Sequence, residues 1–425
     1  MADVHMLVTF ITPEYPPQAV GGLGTHVQAL ARGLAVAGVE VHVFCAAIAS
    51  AQSYQDGRIS VRYIAPPGRE NDQPYSLDFD TAFKLNMRVA EVVEEHFSCL
   101  NKKPSIVHIH DWFGFKAAAR LRSVFGAPVI TTLHTFQAAL LSLFRIRLAG
   151  NTVIELEEQC CRGSDRIITV SESVAQDLKS IYSIPSDKID VVWNGFDTES
   201  FSSQLIAPER IQAMRAAWLK EGERAILFAG RLGAQKGVLP LLRSAKEVIT
   251  QAPDVRYLIV GEVQDNQYVK DLQLLASRDP VLCEKVTFLG KVRRDELAIL
   301  YQFASVAVVP SLYEPFGYAA TEPMSLGRPV VATRVGGLQE IIEHNRSGLL
   351  VATTTSARDG LPDLDVESFT QAQLELLNDP AKAAWLGEEA RQRVEQEFSC
   401  QNMVEKTLGC YRSTMNCQLQ AVANG

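Results

Sequence analysis

The chain has 425 residues, 47% of them hydrophobic and 21% charged, with a formal net charge of -8. That length exceeds one ordinary core and predicts two large globular domains, while the acidic balance argues against a nucleic-acid partner and leaves room only for a local basic pocket for phosphate. The eight cysteines form no CxxC pair and no zinc-type spacing with histidine, so they read as reduced thiols. The start, "MADVHMLVTF", has no basic leader with a long apolar core behind it, and no run of about 18 apolar residues occurs anywhere. A cytoplasmic setting without stable membrane insertion is expected. "FQAALLSLFRIRLAG" (136–150) reads as a core-packing helix or, alternatively, as an amphipathic basic helix for a membrane surface.

In chain order, "MLVTFIT" predicts a strand, "HVQALARGLAVAG" a helix, and "VEVHVFCAA" and "SIVHIHD" strands. "GFKAAARLRSVFG" predicts a helix, and "PVITTLH" and "RIITVS" strands. After "IDVVWNGFD" a polar stretch covers about 198–222, and then the alternation resumes. It runs through strand "RAILFAG", helix "VLPLLRSAKEVITQ", strand "VRYLIVG", helix "YVKDLQLLASR" and strand "KVTFLG", then helix "DELAILYQFA" and strands "VAVVPS" and "PVVAT". Alternation of this kind means parallel strands with crossover helices. The expected fold class is α/β: two tandem Rossmann-like doubly wound domains with a cleft between them, where ligands meet the carboxyl ends of the strands. Expected boundaries are 1–200, 201–395, and a helical segment 396–425 returning to the first domain. "TTTSARDGLPDLD" (353–365) reads as a polar loop.

The chemistry should follow the strands. "TPEYPPQAVGGLGTHV" ends in Gly21, Gly22 and Gly24 at a helix start, where glycines let N–H groups approach an anion. Its spacing is not a dinucleotide fingerprint, and a tight turn without ligand is an equal reading. "VHIHDWFG" sets His108 and His110 on one strand face with Asp111 and Trp112 at its end. Two such histidines could ligate a metal, but no third ligand is evident, and His108 reads as a hydrogen-bonded core residue. Asp111 and Trp112 suit carbohydrate, the carboxylate accepting from hydroxyls and the indole stacking on a sugar face. His134 closes the next strand. In "FAGRLGAQKG", Arg231 and Lys236 suit a diphosphate, with a solvated surface pair as the bland reading. In "SLYEPFGYAATEP", Gly317, Tyr318 and Ala319 open a helix whose first N–H groups lack partners. Glu314 and Glu322 lie eight residues apart, up to roughly 12 Å along a helix, too far for the pair of a retaining glycosidase at about 5 Å. They suit two contacts on one elongated ligand. "RVGGLQEII" adds a glycine pair after the last core strand, read as a tight turn into a helix.

Taken in order, "AVGGLGTHV", "HIHDW", "GRLGAQKG", "SLYEPFGYAATEPMSLGRPVVAT" and "VGGLQEII" resemble the retaining nucleotide-sugar glycosyltransferases of the GT-B fold, family four. The likeness extends to the glycogen-synthase-like and sucrose-phosphate-synthase-like members. It spans nearly the whole chain, including "WNGFD" and "EFSCQNMVEKTLGCYR". It implies that Arg231 and Lys236 hold the donor diphosphate, Glu314 the sugar hydroxyls and Glu322 the ribose. Gly317, Tyr318 and Ala319 would contact sugar or phosphate, and His134 would lie beside the donor sugar. Gly21 and Gly22 would approach the diphosphate and the acceptor, Gly261 and Val292 the base. Asp111 and Trp112 would line the acceptor side, while Lys116, Arg120, Arg145 and Arg147 could form a phosphate pocket there for fructose 6-phosphate. It also implies hexosyl transfer, glucosyl in the first instance, from a UDP- or ADP-sugar to a sugar, sugar-phosphate or glucan hydroxyl. The anomer is retained, and neither metal nor cofactor takes part.

Ala19 stands where glycogen and starch synthases carry a lysine, Leu23 where sucrose-phosphate synthases usually carry glutamine, and "GEVQDN" leaves the choice of base open. A nucleotide-sugar epimerase on the same fold and a non-catalytic sugar-nucleotide sensor are the alternatives. The Asp-x-Asp at Asp363 and Asp365, which a metal-dependent transferase would need at a strand end of its nucleotide domain, lies instead in a late polar loop.

Overall fold

A computed structural model describes residues 6–18, 21–46, 52–65, 79–146, 152–201, 207–262 and 266–423. Ala19, Arg147 and the middle of "GEVQDN" (263–265) lie outside them. The chain divides into two compact units: Met1–Ser142, Ile146–Gly195 and Cys400–Gly425 form the first, Leu143–Arg145 and Phe196–Ser399 the second.

In the first unit eight strands form one sheet: β1 (Leu7–Thr12), β2 (Glu40–Ala46), β3 (Ser53–Asp56), β4 (Ile59–Ile64), β5 (Ile106–His110), β6 (Val129–Leu133), β7 (Arg166–Thr169) and β8 (Ile189–Val191). Their order is β3-β4-β2-β1-β5-β6-β7-β8, parallel except for the β3–β4 pair. Every residue of β1 is buried, as a strand covered on both faces must be. Its side chains alternate: Val8 and Phe10 pack with Val27, Leu30 and Leu34 of the helix Gly22–Val36, while Leu7 and Ile11 pack with Val89, Phe97 and Leu121 on the other face. The terminal helix Cys400–Ala423 belongs to this unit, with Met403, Val404 and Tyr411 in the same core as Val8 and Phe10. Gly33 admits it: a Cβ there would lie 2.3 Å from a Val404 methyl.

The second unit carries a six-stranded parallel sheet of β9 (Arg224–Ala229), β10 (Val255–Val260), β11 (Val286–Gly290), β12 (Ala304–Val309), β13 (Val330–Thr333) and β14 (Leu349–Val351), in the order β11-β10-β9-β12-β13-β14. In both sheets the winding reverses beside the first strand of the unit, between β1 and β5 and between β9 and β12. Loops diverge at such switch points and leave room for a ligand beyond the strand ends.

Several expectations need correction. The hairpin β3–β4 turns on Gly57-Arg58, with Gly57 at φ +62, a glycine-led two-residue loop that the βα reading passes over. "PVVAT" is not the last core strand, because β14 pairs beyond it. "TTTSARDGLPDLD" is a two-stranded antiparallel ribbon as well as a loop, and the polar stretch before β9 contains the helix Pro208–Trp218. Asp363 pairs with Arg243 and Asp365 caps the helix Val366–Asn378, so that Asp-x-Asp is structural. The basic amphipathic helix is not formed over the described residues: the helix Gln137–Leu143 buries Ala138 and Leu141, then ends, with Arg145 in the left-handed region at φ +51. No described helix is long and apolar enough to cross a membrane.

The second switch point is held by contacts only glycine permits. Gly237 sits at φ +66, and a Cβ there would lie 2.0 Å from the Pro310 carbonyl oxygen. Gly237→Ala therefore adds backbone strain to a clash with main chain. It should cost about 2–3 kcal/mol, measured as a lower urea midpoint for a variant that still folds.

Candidate active site

In the second unit β9 leads through Gly230 to Arg231, whose side chain is exposed and has no protein ion pair among the described residues. A single 3-10 turn, Ala234–Lys236, follows. The Gln235 carbonyl accepts the N–H of Leu312 at 2.8 Å, tying this loop to the one after β12. Across that seam Lys236 Nζ meets Glu314 Oε2 at 2.6 Å, with only 16% and 9% of the two side chains exposed. The Ser311 hydroxyl donates to the same oxygen at 3.0 Å.

The glycine pair of "RVGGLQEII" holds Glu314 from behind. Gly337 N–H donates to the Glu314 carbonyl at 2.9 Å. Gly336, at φ +47, brings its Cα so near that a Cβ would lie 2.0 Å from that oxygen. The pair is more than a turn. Gly317, at φ +131, then opens the helix Tyr318–Ser325, whose first N–H groups have no partners within the helix. Phe316 and Tyr318 pack edge to face at 5.4 Å, and Ala319 is half-buried beside them in sequence. One turn along, Glu322 is half-buried, and its carboxyl meets no protein hydrogen-bond donor among the described residues. Burial pushes its carboxyl up to about 7 against the pull of Arg294. Gly261 is buried, its N–H on the Gly290 carbonyl at 2.9 Å, and a Cβ would lie 1.8 Å from the Gly230 carbonyl. Val292 is half-buried just beyond β11.

In the first unit the loop after β1 supplies its own anion. Glu14 Oε2 accepts the N–H groups of Gly21 at 3.0 Å and Gly24 at 3.3 Å, so a carboxylate sits at the start of the helix that Gly22 begins. Nothing lies within 4 Å of a Cβ placed on Gly21. Glu14 was not singled out from sequence; a carboxylate seven residues before the glycines was the available signal.

At the ends of β5 and β6, Asp111 is used on main chain. Its Oδ1 accepts from His134 N–H at 2.7 Å and Thr135 N–H at 3.3 Å. Burial raises its carboxyl to about 7 in spite of those bonds. Glu157, another residue that sequence reasoning missed, accepts from Gln137 and Ala138 at 2.8 and 3.0 Å and is likewise raised by burial to about 7. The two acids fix the loop that carries His134. Trp112 packs against the core and edge to face with Phe113 at 6.3 Å, so its indole is a wall as much as a stacking surface.

His108 is a satisfied core residue, with Tyr411 Oη at 2.6 Å and Thr132 Oγ1 at 2.7 Å on its two nitrogens. The histidines that converge are His26, His110 and His134, with one ring nitrogen of each within 4.8 Å of the others, the one group among the described residues arranged to hold a metal ion. His26 approaches from a helix distant in the chain, so the group is not visible in the motif around His110.

The proposed basic pocket is not assembled. Arg120 forms a two-bond ion pair with Glu94, Lys116 donates to Gln159 at 2.7 Å, and Arg145 donates to the Asp359 carbonyl at 3.2 Å within the second unit. Each cation is already engaged by a nearby acceptor, and Arg147 lies outside the described residues.

A family model described as "Glycosyltransferase Family 4" matches residues 20–200, and one described as "Glycosyl transferases group 1" matches 210–393. An uncharacterised glycosyltransferase of Methanocaldococcus jannaschii is 30% identical over 416 residues, covering 96% of this chain and 99% of that protein. The chain belongs to glycosyltransferase family 4. This family-four transferase is also 31% identical over 393 residues to a D-inositol 3-phosphate glycosyltransferase of Pseudarthrobacter chlorophenolicus, covering 88% and 86% of the two chains. In fold it is similar to the sucrose-phosphate synthase of Thermosynechococcus elongatus, with a TM-score of 0.78 at 23% identity over 97% and 100% of the chains. It is therefore a nucleotide-sugar glycosyltransferase of the GT-B type.

Removing Lys236 alone leaves a carboxylate in a mostly buried place without its counter-ion. Lys236→Met should thus destabilise this family-four transferase more than Lys236→Met/Glu314→Gln does. A double-mutant cycle in urea should give a coupling of about 1–3 kcal/mol.

Proposed function

We propose that this enzyme transfers a glucosyl group from UDP- or ADP-glucose to a hydroxyl of a sugar, sugar phosphate or glucan, with retention at the anomeric carbon and without a metal. The observation that carries the reading is the Lys236–Glu314 pair across the switch point, with Arg231 on one side and the helix start at Gly317 on the other. A cation and a carboxylate held together match a ligand that is anionic at its phosphates and hydroxylic at its sugar. Lys236 and Arg231 would take the diphosphate and stabilise the charge that grows as the bond from the anomeric carbon to the phosphate oxygen breaks. The helix-start N–H groups of Tyr318 and Ala319 would add to that field. Glu314, losing part of its hold on Lys236, would accept from the sugar hydroxyls. The acceptor oxygen bonds to the anomeric carbon on the face the phosphate leaves, and its proton passes to the departing phosphate oxygen. No carboxylate serves as a nucleophile on this reading.

Glu322 would hold the ribose and Gly261 and Val292 the base edge, while His134 would stand beside the sugar. A phosphate-bearing acceptor is favoured by the names of two similar proteins, one acting on D-inositol 3-phosphate and one a sucrose-phosphate synthase. Gly21 and Asp111 would lie toward the acceptor side. The setting is cytoplasmic on this reading, where nucleotide sugars coexist with reduced thiols.

Product analysis with UDP- and ADP-glucose against hexose phosphates, inositol phosphate and a glucan primer tests the proposal, with the new anomeric configuration read by NMR. Arg231→Ala, Lys236→Ala and Glu314→Ala should each lower kcat/KM by about 10²–10³-fold. Full activity in folded Lys236→Ala and Glu314→Ala would sink the assignment, and loss of turnover in chelator would sink its metal independence.

The pH dependence follows from Glu322. Ribose hydroxyls donate to the ionised carboxylate, so donor binding favours the deprotonated form and weakens as pH falls through about 7. Donor KM should rise about tenfold from pH 8 to pH 6. In Glu322→Gln it should be higher than in the wild type at pH 8 and flat across the same range.

A further inference from the structure

We propose that His26, His110 and His134 form a binding site for a single transition-metal dication of the zinc class. The three imidazoles come from the first helix and the ends of β5 and β6. Their ring centroids are 4.5 Å apart for His26–His134, 5.3 Å for His110–His134 and 5.7 Å for His26–His110. Three imidazoles on one tetrahedral zinc, at about 2.0–2.1 Å per nitrogen, place their centroids about 5 Å apart. The rings therefore already have the spacing of a three-histidine site. His110 Nδ1 and His134 Nε2 share a hydrogen bond at 3.0 Å, near the separation of two ligands on one ion, and a nitrogen of His26 lies within 4.8 Å of both.

The second observation is the state of the nitrogens. Neither Nδ1 nor Nε2 of His26 meets a hydrogen-bond partner, nor does Nε2 of His110, although all three atoms are buried. Asn194 lies beside His26, but its own Oδ1 is unpartnered too. Buried polar atoms are rarely left unmet, and a ring with both nitrogens unmet beside two further imidazoles marks a place kept for a ligand. Burial holds all three imidazoles neutral, pushing His26 down to about 3 and the other two well below the usual range, so each ring keeps one basic nitrogen, and an ion would replace the hydrogen bond between His110 and His134. An all-nitrogen set suits zinc, copper or nickel and not magnesium or calcium.

The metal has no part in the transfer chemistry proposed above. It would tie down His134, which that reading sets beside the donor sugar, so occupancy would act as a brake on donor binding. The site itself stands independently of that reading.

Chelator-treated full-length protein titrated with Co²⁺ gives the test. A single saturable event is expected, with weak visible bands of nitrogen-bound cobalt, and displaced by Zn²⁺. It should vanish in His26→Gln and in His134→Asn, each checked for folding by its urea midpoint, and persist in Cys99→Ser and Cys283→Ser. No saturable binding, binding that survives both histidine changes, or thiolate-type near-ultraviolet bands that follow the cysteines would each overturn the site. Donor KM should rise severalfold with zinc bound and recover in chelator. An unchanged KM with zinc bound would overturn the brake.

Discussion

The ion pair between Lys236 and Glu314 organises the second unit. Two mostly buried charges lose hydration, and only close approach with further hydrogen bonds offsets that loss. The chain supplies both, through a 2.6 Å contact and the Ser311 hydroxyl on the same carboxylate oxygen. Keeping the pair requires the loops after β9 and β12 to stay in register. The Gln235 carbonyl bridges them, Gly237 lets one pass under Pro310, and Gly336 and Gly337 close on the Glu314 backbone from the third loop. Glycines that look like separate turn signals in the sequence thus serve one constraint, the position of one carboxylate.

The first unit solves a different problem with the same residue type. Glu14, Asp111 and Glu157 are spent on backbone N–H groups: of Gly21 and Gly24, of His134 and Thr135, and of Gln137 and Ala138. Each fixes a loop that follows a strand at or near the switch point between β1 and β5. Their carboxyls do structural work first. A reading that takes every acid near a strand end as a ligand for substrate overcounts, and Asp111 shows how: its position predicts a sugar contact, while one of its oxygens already orients the peptide of His134.

Fold class was legible because it rests on local information. Runs such as "RAILFAG" and "VAVVPS" are buried on both faces and read as parallel strands from composition alone. The hairpin β3–β4 escaped because its edge strand β3 is short and polar, although β4 alternates buried and half-buried residues. In the site, Lys236 and Glu314 were each legible as chemistry, but not as partners, since 78 residues separate them. Their pairing follows from sheet order. His26 was illegible for the same reason: a histidine on the buried face of an amphipathic helix looks like core until the topology sets it against β5 and β6. The basic pocket failed from the opposite cause. Arg120 looked available only because its partner, Glu94, comes from a helix that the motif reading did not include.

What separates structural polar groups from functional ones here is pairing. Glu223 is nearly fully buried, yet against the opposing pull of burial Lys285 and Arg256 hold its carboxyl down to about 2, and it lies at the amino end of β9, away from the switch point. It is a closed ion cluster and has nothing left to offer a ligand. By contrast, the Arg231 guanidinium has no protein ion pair among the described residues, the Glu322 carboxyl meets no donor among them, and His26 leaves both nitrogens unmet. All three lie on the loops or first helical turns that follow β9, β12 and β1. Folding alone gives no reason to leave a half-buried carboxyl without a donor or an imidazole without a partner, since either could be exchanged for an apolar residue with a gain in stability. Their cost makes sense where something other than the protein completes the bonds, and the carboxyl ends of these strands are where the topology leaves room for it.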